Sequence, residues 1–250
     1  MGLLDNKTAI VTGSSRGIGA EVAKFLAAEG AAVVVNYRQK APRANKVVTE
    51  IEAAGGRAAA VGADLTTQEG VQALASAAME NFGSLDVLVL NASGGMESGM
   101  EADYALKLNR DAQVNMLNAA VPLMPEGSRV VFVTSHQAHF IDTVPTMENY
   151  EPVARSKRAG EDALRELIPN LAEKGISLVI VSGDMIEGTV TATLLDRSNP
   201  GAIEARRAEA GKLYSVKEFA AEVAKMVTAD VESGHTEYVG GADYFDKSNN

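Results

Sequence analysis

The stretch TGSSRGIG, residues 12–19, lies between an apolar run and an amphipathic one. Gly13 suits a tight turn, Gly17 a close approach of backbone to a pyrophosphate, and Gly19 the packing of a helix whose N-terminus faces the anion. Ser15, Arg16 and Ile18 complete this candidate cradle. A dinucleotide is the expected ligand, and charge indicates which one. The second apolar run ends Val35-Asn36-Tyr37-Arg38, with no carboxylate to accept hydrogen bonds from a ribose 2′-hydroxyl. Arg38 and Arg16 would instead form a fork for a 2′-phosphate, so NADP is expected rather than NAD.

Positioning such a cradle requires strands that end beside helix starts. Seven short, mostly continuous apolar runs read as strands near Thr8–Thr12, Ala32–Asn36, Arg57–Ala63, Val87–Asn91, Arg129–Thr134, Ser177–Ser182 and Thr236–Val239. Helical patterns fall between them at Gly19–Glu29, Ala44–Ala54, Gln68–Asn81, Tyr104–Leu123, Val153–Glu173 and Val216–Thr228. Gly30, Gly55 and Gly175 are the expected stops. The pattern predicts an α/β fold: one Rossmann domain over residues 1–250, with a doubly wound, seven-stranded parallel sheet and helices on both faces. Residues 188–211 interrupt the rhythm and read as a substrate lid.

Composition narrows the partners. With 33 acidic and 23 basic residues the net charge is −10, which argues against nucleic acid or an anionic membrane. There is no cysteine, and three scattered histidines make no metal site. The N-terminus has no basic region followed by a long apolar run, so a cytoplasmic protein acting on a small molecule is expected.

The spacing of the glycines after Thr12 resembles the short-chain dehydrogenase/reductase family, and the resemblance runs almost from end to end. GADL, carrying Ala63, Asp64 and Leu65, is similar to the family's adenine-contacting segment. LNASG, with Asn91 and Ala92, resembles its Asn-Asn-Ala-Gly, with Leu90 and Ser93 as departures. The run from Val35 to Leu65 is similar to 3-oxoacyl-carrier-protein reductases. The family interconverts ketones and secondary alcohols with Asn, Ser, Tyr and Lys. The resemblance assigns Asn109 to a water in a proton relay, Ser135 to the substrate oxygen, and Lys157 to the nicotinamide ribose and the tyrosine. Ile186 and Thr189 would lie beside the nicotinamide, after a Gly183-Asp184 that replaces the family's Pro-Gly. The resemblance also implies a homodimer or homotetramer; Ala159, Gly160 and Ala163 would permit close helix contact, and are equally consistent with packing on the sheet.

The tyrosine departs from the pattern. Four residues before Lys157, on the same helical face, stands Val153, which cannot donate a proton. Tyr150 stands seven before it: on nearly the same face, but about 4.5 Å farther along the axis than the usual place. Pro152 favours a first helical turn and disfavours helical backbone at Glu151, which would leave Tyr150 outside the helix and free to fold back. Tyr150 is thus the candidate acid; His136 and His139 are alternatives. A second reading, motivated by Val153 and Gly183-Asp184, is a dinucleotide-binding sensor or partner subunit with little or no turnover. Arg206 and Arg207 in the lid would suit an acidic or acyl substrate, unless they are solvated, and Asp184 would add a carboxylate.

Overall fold

The computed structural model describes residues 2–97, 99–101 and 103–248. In chain order the elements are β1 (Thr8–Val11), α1 (Gly17–Ala28), β2 (Ala32–Tyr37), α2 (Ala41–Ala53), β3 (Arg57–Gly62), α3 (Gln68–Phe82) and β4 (Val87–Leu90). There follow α4 (Tyr104–Leu106), a π-helical turn (Lys107–Asp111), α5 (Ala112–Ala120), a 3-10 turn (Val121–Leu123), β5 (Arg129–Ser135), α6 (His136–His139), α7 (Glu151–Glu166) and α8 (Ile168–Ala172). The chain continues through β6 (Ser177–Gly183), α9 (Val190–Ser198), α10 (Ala202–Ala210), α11 (Val216–Lys225), β7 (Thr236–Val239) and α12 (Asp243–Ser248). All seven strands are parallel, in the order β3-β2-β1-β4-β5-β6-β7.

Side chains alternate across the strands, and both faces are covered, which is why the strands read as unbroken apolar runs. Val11, Val33, Val89, Val131 and Val181 face a core closed by α1, α2 and α11, with Leu26, Ile51 and Phe219 among the fully or nearly buried side chains. Ile10, Val34, Leu88, Phe132 and Ile180 face the opposite core, closed by α3, α5 and α7 through Leu74, Met116, Leu117 and Leu164. A third cluster lies under the lid and joins Ala138, Tyr150, Val153, Met185 and Leu195.

Strand order reverses between β1 and β4, and the crevice at such a reversal is where open α/β sheets bind ligands. The expected stops hold as left-handed glycines, with φ of +100° at Gly30, +86° at Gly55 and +66° at Gly175.

Several elements differ from the sequence reading, and the helix expected over 153–173 is two, α7 and α8. The helix expected over 104–123 is broken by the π turn at Lys107–Asp111, a feature that pattern alone does not reveal. The lid consists of two helices, α9 and α10, joined through Gly201 at φ +89°. Helix α7 starts at Glu151, so the residue before Pro152 is helical after all. The N–H groups of both Tyr150 and Glu151 donate to the carbonyl of Met147, at 2.8 and 3.0 Å, and this incoming turn outweighs the steric bias of the proline. Tyr150 is the N-cap residue, immediately outside the helix.

Candidate active site

The carboxyl ends of the central strands open onto one cleft of about 730 Å³, lined by every predicted catalytic and cofactor residue except Asn109. Its first half is the glycine loop. Gly13 takes φ +62°, and a side chain there would lie 3.0 Å from the Ala92 backbone. At Gly19 a Cβ would come within 2.5 Å of the Asn91 amide nitrogen and 2.8 Å of the Gly13 carbonyl. Gly17, at φ +59°, meets nothing within 4 Å. The loop is therefore tight where it packs and open where an anion would approach.

Two predicted ligand contacts act mainly as braces of this loop. Asn36 is 2% exposed; its Oδ1 accepts from Gly13 N–H at 3.0 Å and its Nδ2 donates to the Ala63 carbonyl at 3.2 Å. Asn91 donates from Nδ2 to the Thr12 carbonyl at 3.0 Å. Asp64 Oδ1 accepts from Thr66 N–H and Thr66 Oγ1, at 3.0 and 2.7 Å, forming the turn after β3. An asparagine at the end of β2 thus replaces a ribose-binding carboxylate with a structural amide.

Around the same end stand Arg16, Arg38, Lys40 and Arg43. The sequence reading named the first two; Lys40 and Arg43 follow Arg38 at the start of α2 and could have been found by tracing cations past the strand. Arg38 donates to the Tyr104 hydroxyl and lies 5.5 Å from the centroid of its ring. Burial, ahead of nearby charges, pushes the Tyr104 phenol up in pKa, so it stays protonated beside the guanidinium. Four clustered cations in a protein of net charge −10 fit a 2′-phosphate. Replacing Lys40 and Arg43 together with alanine should raise the Kd for NADPH relative to NADH by about 3- to 30-fold, the worth of two partly exposed charge contacts. Fluorescence titration at low and high salt measures it, and the effect should shrink in high salt.

The second half of the cleft holds Ser135 at the end of β5, Tyr150 at the N-cap of α7, and Lys157 two turns into that helix. Tyr150 is 3% exposed, and its phenol oxygen lies 3.5 Å from Ser135 Oγ. Val153 does not line the cleft. It is 5% exposed and packs in the cluster under the lid, 3.1 Å from where a side chain on Gly95 would stand. At 100° per residue, Tyr150 lies about 20° from Lys157 around the helix and Val153 about 40°, on the other side. Rotation alone leaves both near the Lys157 side of the helix, and Tyr150 approaches Ser135 from the N-cap, immediately outside the helix.

Both candidate histidines are committed elsewhere. His136 is fully buried; its Nε2–H donates to the Gly240 carbonyl at 2.9 Å, leaving Nδ1 to accept from the Ser182 hydroxyl at 2.8 Å. Burial lowers its pKa and holds it neutral. His139 meets Glu161 at 2.8 Å through Nδ1 and the Tyr238 hydroxyl at 2.9 Å through Nε2. Neither lines the cleft, so neither substitutes for a phenol there. Asn109, in the π turn, also lies outside it. Its Nδ2 donates to the Gly94 carbonyl and to Ser156 Oγ, both at 2.9 Å, and its Oδ1 accepts from Gly94 N–H at 3.2 Å. Its side chain fastens the loop after β4 to α7.

Comparison with known proteins agrees with this geometry. The family model for short chain dehydrogenase matches residues 7–199. The chain belongs to the short-chain dehydrogenase family. An uncharacterised oxidoreductase of Methylorubrum extorquens is 36% identical over 201 residues, covering 77% of this chain and 79% of that one. Versicolorin reductase 1 of Dothistroma septosporum is 34% identical over 204 residues, covering 79% and 76%. Among solved structures, a short chain dehydrogenase from Burkholderia cenocepacia in complex with NADP superposes with a TM-score of 0.80 at 31% identity, covering 94% of this chain and 97% of that one.

For a short-chain dehydrogenase, the filled surroundings of Val153 make a direct prediction. Val153→Tyr, which puts a phenol at the usual place, should not raise turnover. The larger ring would overpack a filled core at a cost of about 1–3 kcal/mol, read as a lower Tm.

The lid carries its own departure. Asp184, where the family pattern has glycine after proline, is 6% exposed, and Arg206 Nε donates to its two oxygens at 2.8 and 3.0 Å. Arg206 also donates to both oxygens of Asp243, at 2.8 and 2.6 Å, and lies over the Tyr244 ring at 4.8 Å. Arg207 is paired with Glu187 and Glu204. The sequence reading leaves the lid arginines as solvated charges or substrate cations; Arg206 is instead buried and latches the lid to β6 and α12, while Arg207 pairs on the surface.

Proposed function

We propose that this short-chain dehydrogenase is an NADP-dependent oxidoreductase that interconverts a ketone and a secondary alcohol, with Tyr150 as its proton donor. The observation that carries the reading is the approach of the Tyr150 phenol to Ser135 within the cleft that Lys157 also lines. Gly13, Ser15, Gly17, Ile18 and Gly19 would hold the pyrophosphate, and Arg16, Arg38, Lys40 and Arg43 the 2′-phosphate. Tyr37, Ala63, Asp64, Leu65 and Ala92 would line the adenosine side, and Ile186 and Thr189 the nicotinamide. Bound NADPH supplies the hydride. Ser135 donates a hydrogen bond to the substrate carbonyl, fixing its oxygen beside the phenol. Tyr150 gives its proton to that oxygen as negative charge develops, and the Lys157 ammonium stabilises the phenolate left behind.

Asn109 enters as a positioning residue. It holds the 93–95 loop against α7, which keeps Tyr150 and Lys157 at a fixed height over the cleft. Among ketones, 3-oxoacyl compounds belong to the proposal on the likeness of residues 35–65. Pairing of two copies through α5 and α7 belongs to it as well, although Gly160 serves the monomer. A Cβ there would come within 2.0 Å of the Asn109 carbonyl.

The competing reading, a dinucleotide-binding protein without turnover, draws on the same 3.5 Å contact, which is longer than the usual O–H···O bond. Apo hydrogen bonds in catalytic sites commonly tighten only when substrate completes them. A panel of ketones with NADPH separates the two. NADPH fluorescence should change on mixing under both readings, while substrate-dependent loss of NADPH absorbance is expected only for the oxidoreductase. Binding without consumption across the panel favours the sensor.

A further inference from the structure

Ionised groups are unevenly distributed along the cleft. Arg16, Arg38, Lys40 and Arg43 stand at the β1–β2 end, three strand spacings or about 14 Å from the end of β5 where Ser135 begins the substrate half. In that half, among the described residues, the only cleft-lining cation is Lys157. Two lid cations are consumed, Arg206 by Asp184 and Asp243, and Arg207 by Glu187 and Glu204, and Arg197 on α9 does not line the cleft. Asp184 is itself neutralised by this pairing, so it neither attracts a cation nor calls for one. Apart from Glu97, a carboxylate in the same loop as Ser93, what remains on the substrate wall is apolar or neutral: Met185, Ala192 and Leu195 from the lid side, with Ser93 and Gln137 also lining the cleft. Gln137 makes no hydrogen bond within the protein among the described residues.

Resting on the ketone–alcohol reading, we infer that the substrate is uncharged around its reacting carbonyl, with apolar flanks: an ester, thioester, amide or ring ketone rather than an oxo acid or a phosphorylated sugar. A carboxylate next to the carbonyl would lose hydration in the cleft and find no counter-charge but Lys157, which the proposed mechanism assigns to the phenol and the ribose. A neutral group loses little and gains contact with Met185 and Leu195.

The test compares matched pairs, ethyl 3-oxoesters and the corresponding 3-oxo acids of increasing chain length, with NADPH. The esters should show at least about tenfold higher kcat/KM than the acids. Equal or better turnover of the acids overturns the inference. Gln137→Arg, which adds a cation on this wall, should narrow the gap by about threefold or more. A gap that stays unchanged would show that selection does not arise at this end. Quenching of cofactor fluorescence in the NADPH-loaded protein supplies an independent readout. If no pair turns over but the esters alone perturb the signal, the reductase reading fails and the neutral site stands. If neither member perturbs it up to its solubility limit, both fail.

Discussion

Tyr150→Phe should lower kcat by about 10²- to 10⁴-fold, the usual worth of a positioned general acid, while leaving NADPH affinity unchanged. The two parts of the outcome have separate causes. The phenol oxygen is the group near Ser135, so removing it takes away the proton at the developing alkoxide and nothing from the glycine loop or the four-cation end. The ring is retained, so the cluster with Val153, Met185 and Leu195 stays filled and the fold should melt where the wild type does. Single-turnover kinetics with NADPH in excess, alongside thermal melting, measure both. An unchanged kcat would mean that the proton comes from elsewhere; neither His136 nor His139 offers a route, since both lie outside the cleft.

Much of this site was readable because it depends on local rules. Strand faces follow from alternation, and the glycine loop from the steric needs of Gly13 and Gly19. The roles that stayed hidden are those fixed by distant partners. His136 is a neutral brace because Ser182 and Gly240 meet it from 46 and 104 residues away. Arg206 is a latch because Asp243 comes 37 residues later, on a short terminal helix that no periodic pattern announced. Asn109 is likewise held by distant partners, Gly94 and Ser156, and the π turn that points its amide at them carries no signature in composition. Even Pro152 misled by its local preference, since two hydrogen bonds to Met147 decide the backbone at Glu151.

Arg206→Ala should be the most destabilising single change outside the two main cores. Asp184 is buried and its ion-pair partner is Arg206, so truncation leaves a buried carboxylate unpaired, at a cost of about 3–5 kcal/mol. Asp243 suffers less because Lys247 still reaches it at 2.8 Å. For a chain of this length the loss corresponds to a Tm lower by about 6–20 °C. The double variant Asp184→Leu with Arg206→Met should recover most of it, because removing both charges removes the penalty that one alone imposes. A loss that the double variant does not recover would assign it to packing over Tyr244 instead. Hydrogen bonds from Arg206 hold the Asp243 carboxyl well below the usual carboxylate range, so its part of the latch is complete above the ordinary value of about 3.9 and is lost only as pH falls farther. The share of the melting gap that comes from Asp243 should therefore persist from neutral pH down to about pH 4 and close only below it. Since Asp184 lines the cleft beside Met185 and Arg206 holds it, the same variant should raise KM more than it lowers kcat: the latch holds the substrate wall in place, while Ser135, Tyr150 and Lys157 stand at the end of β5 and on or beside α7, and none of the three pairs with Arg206.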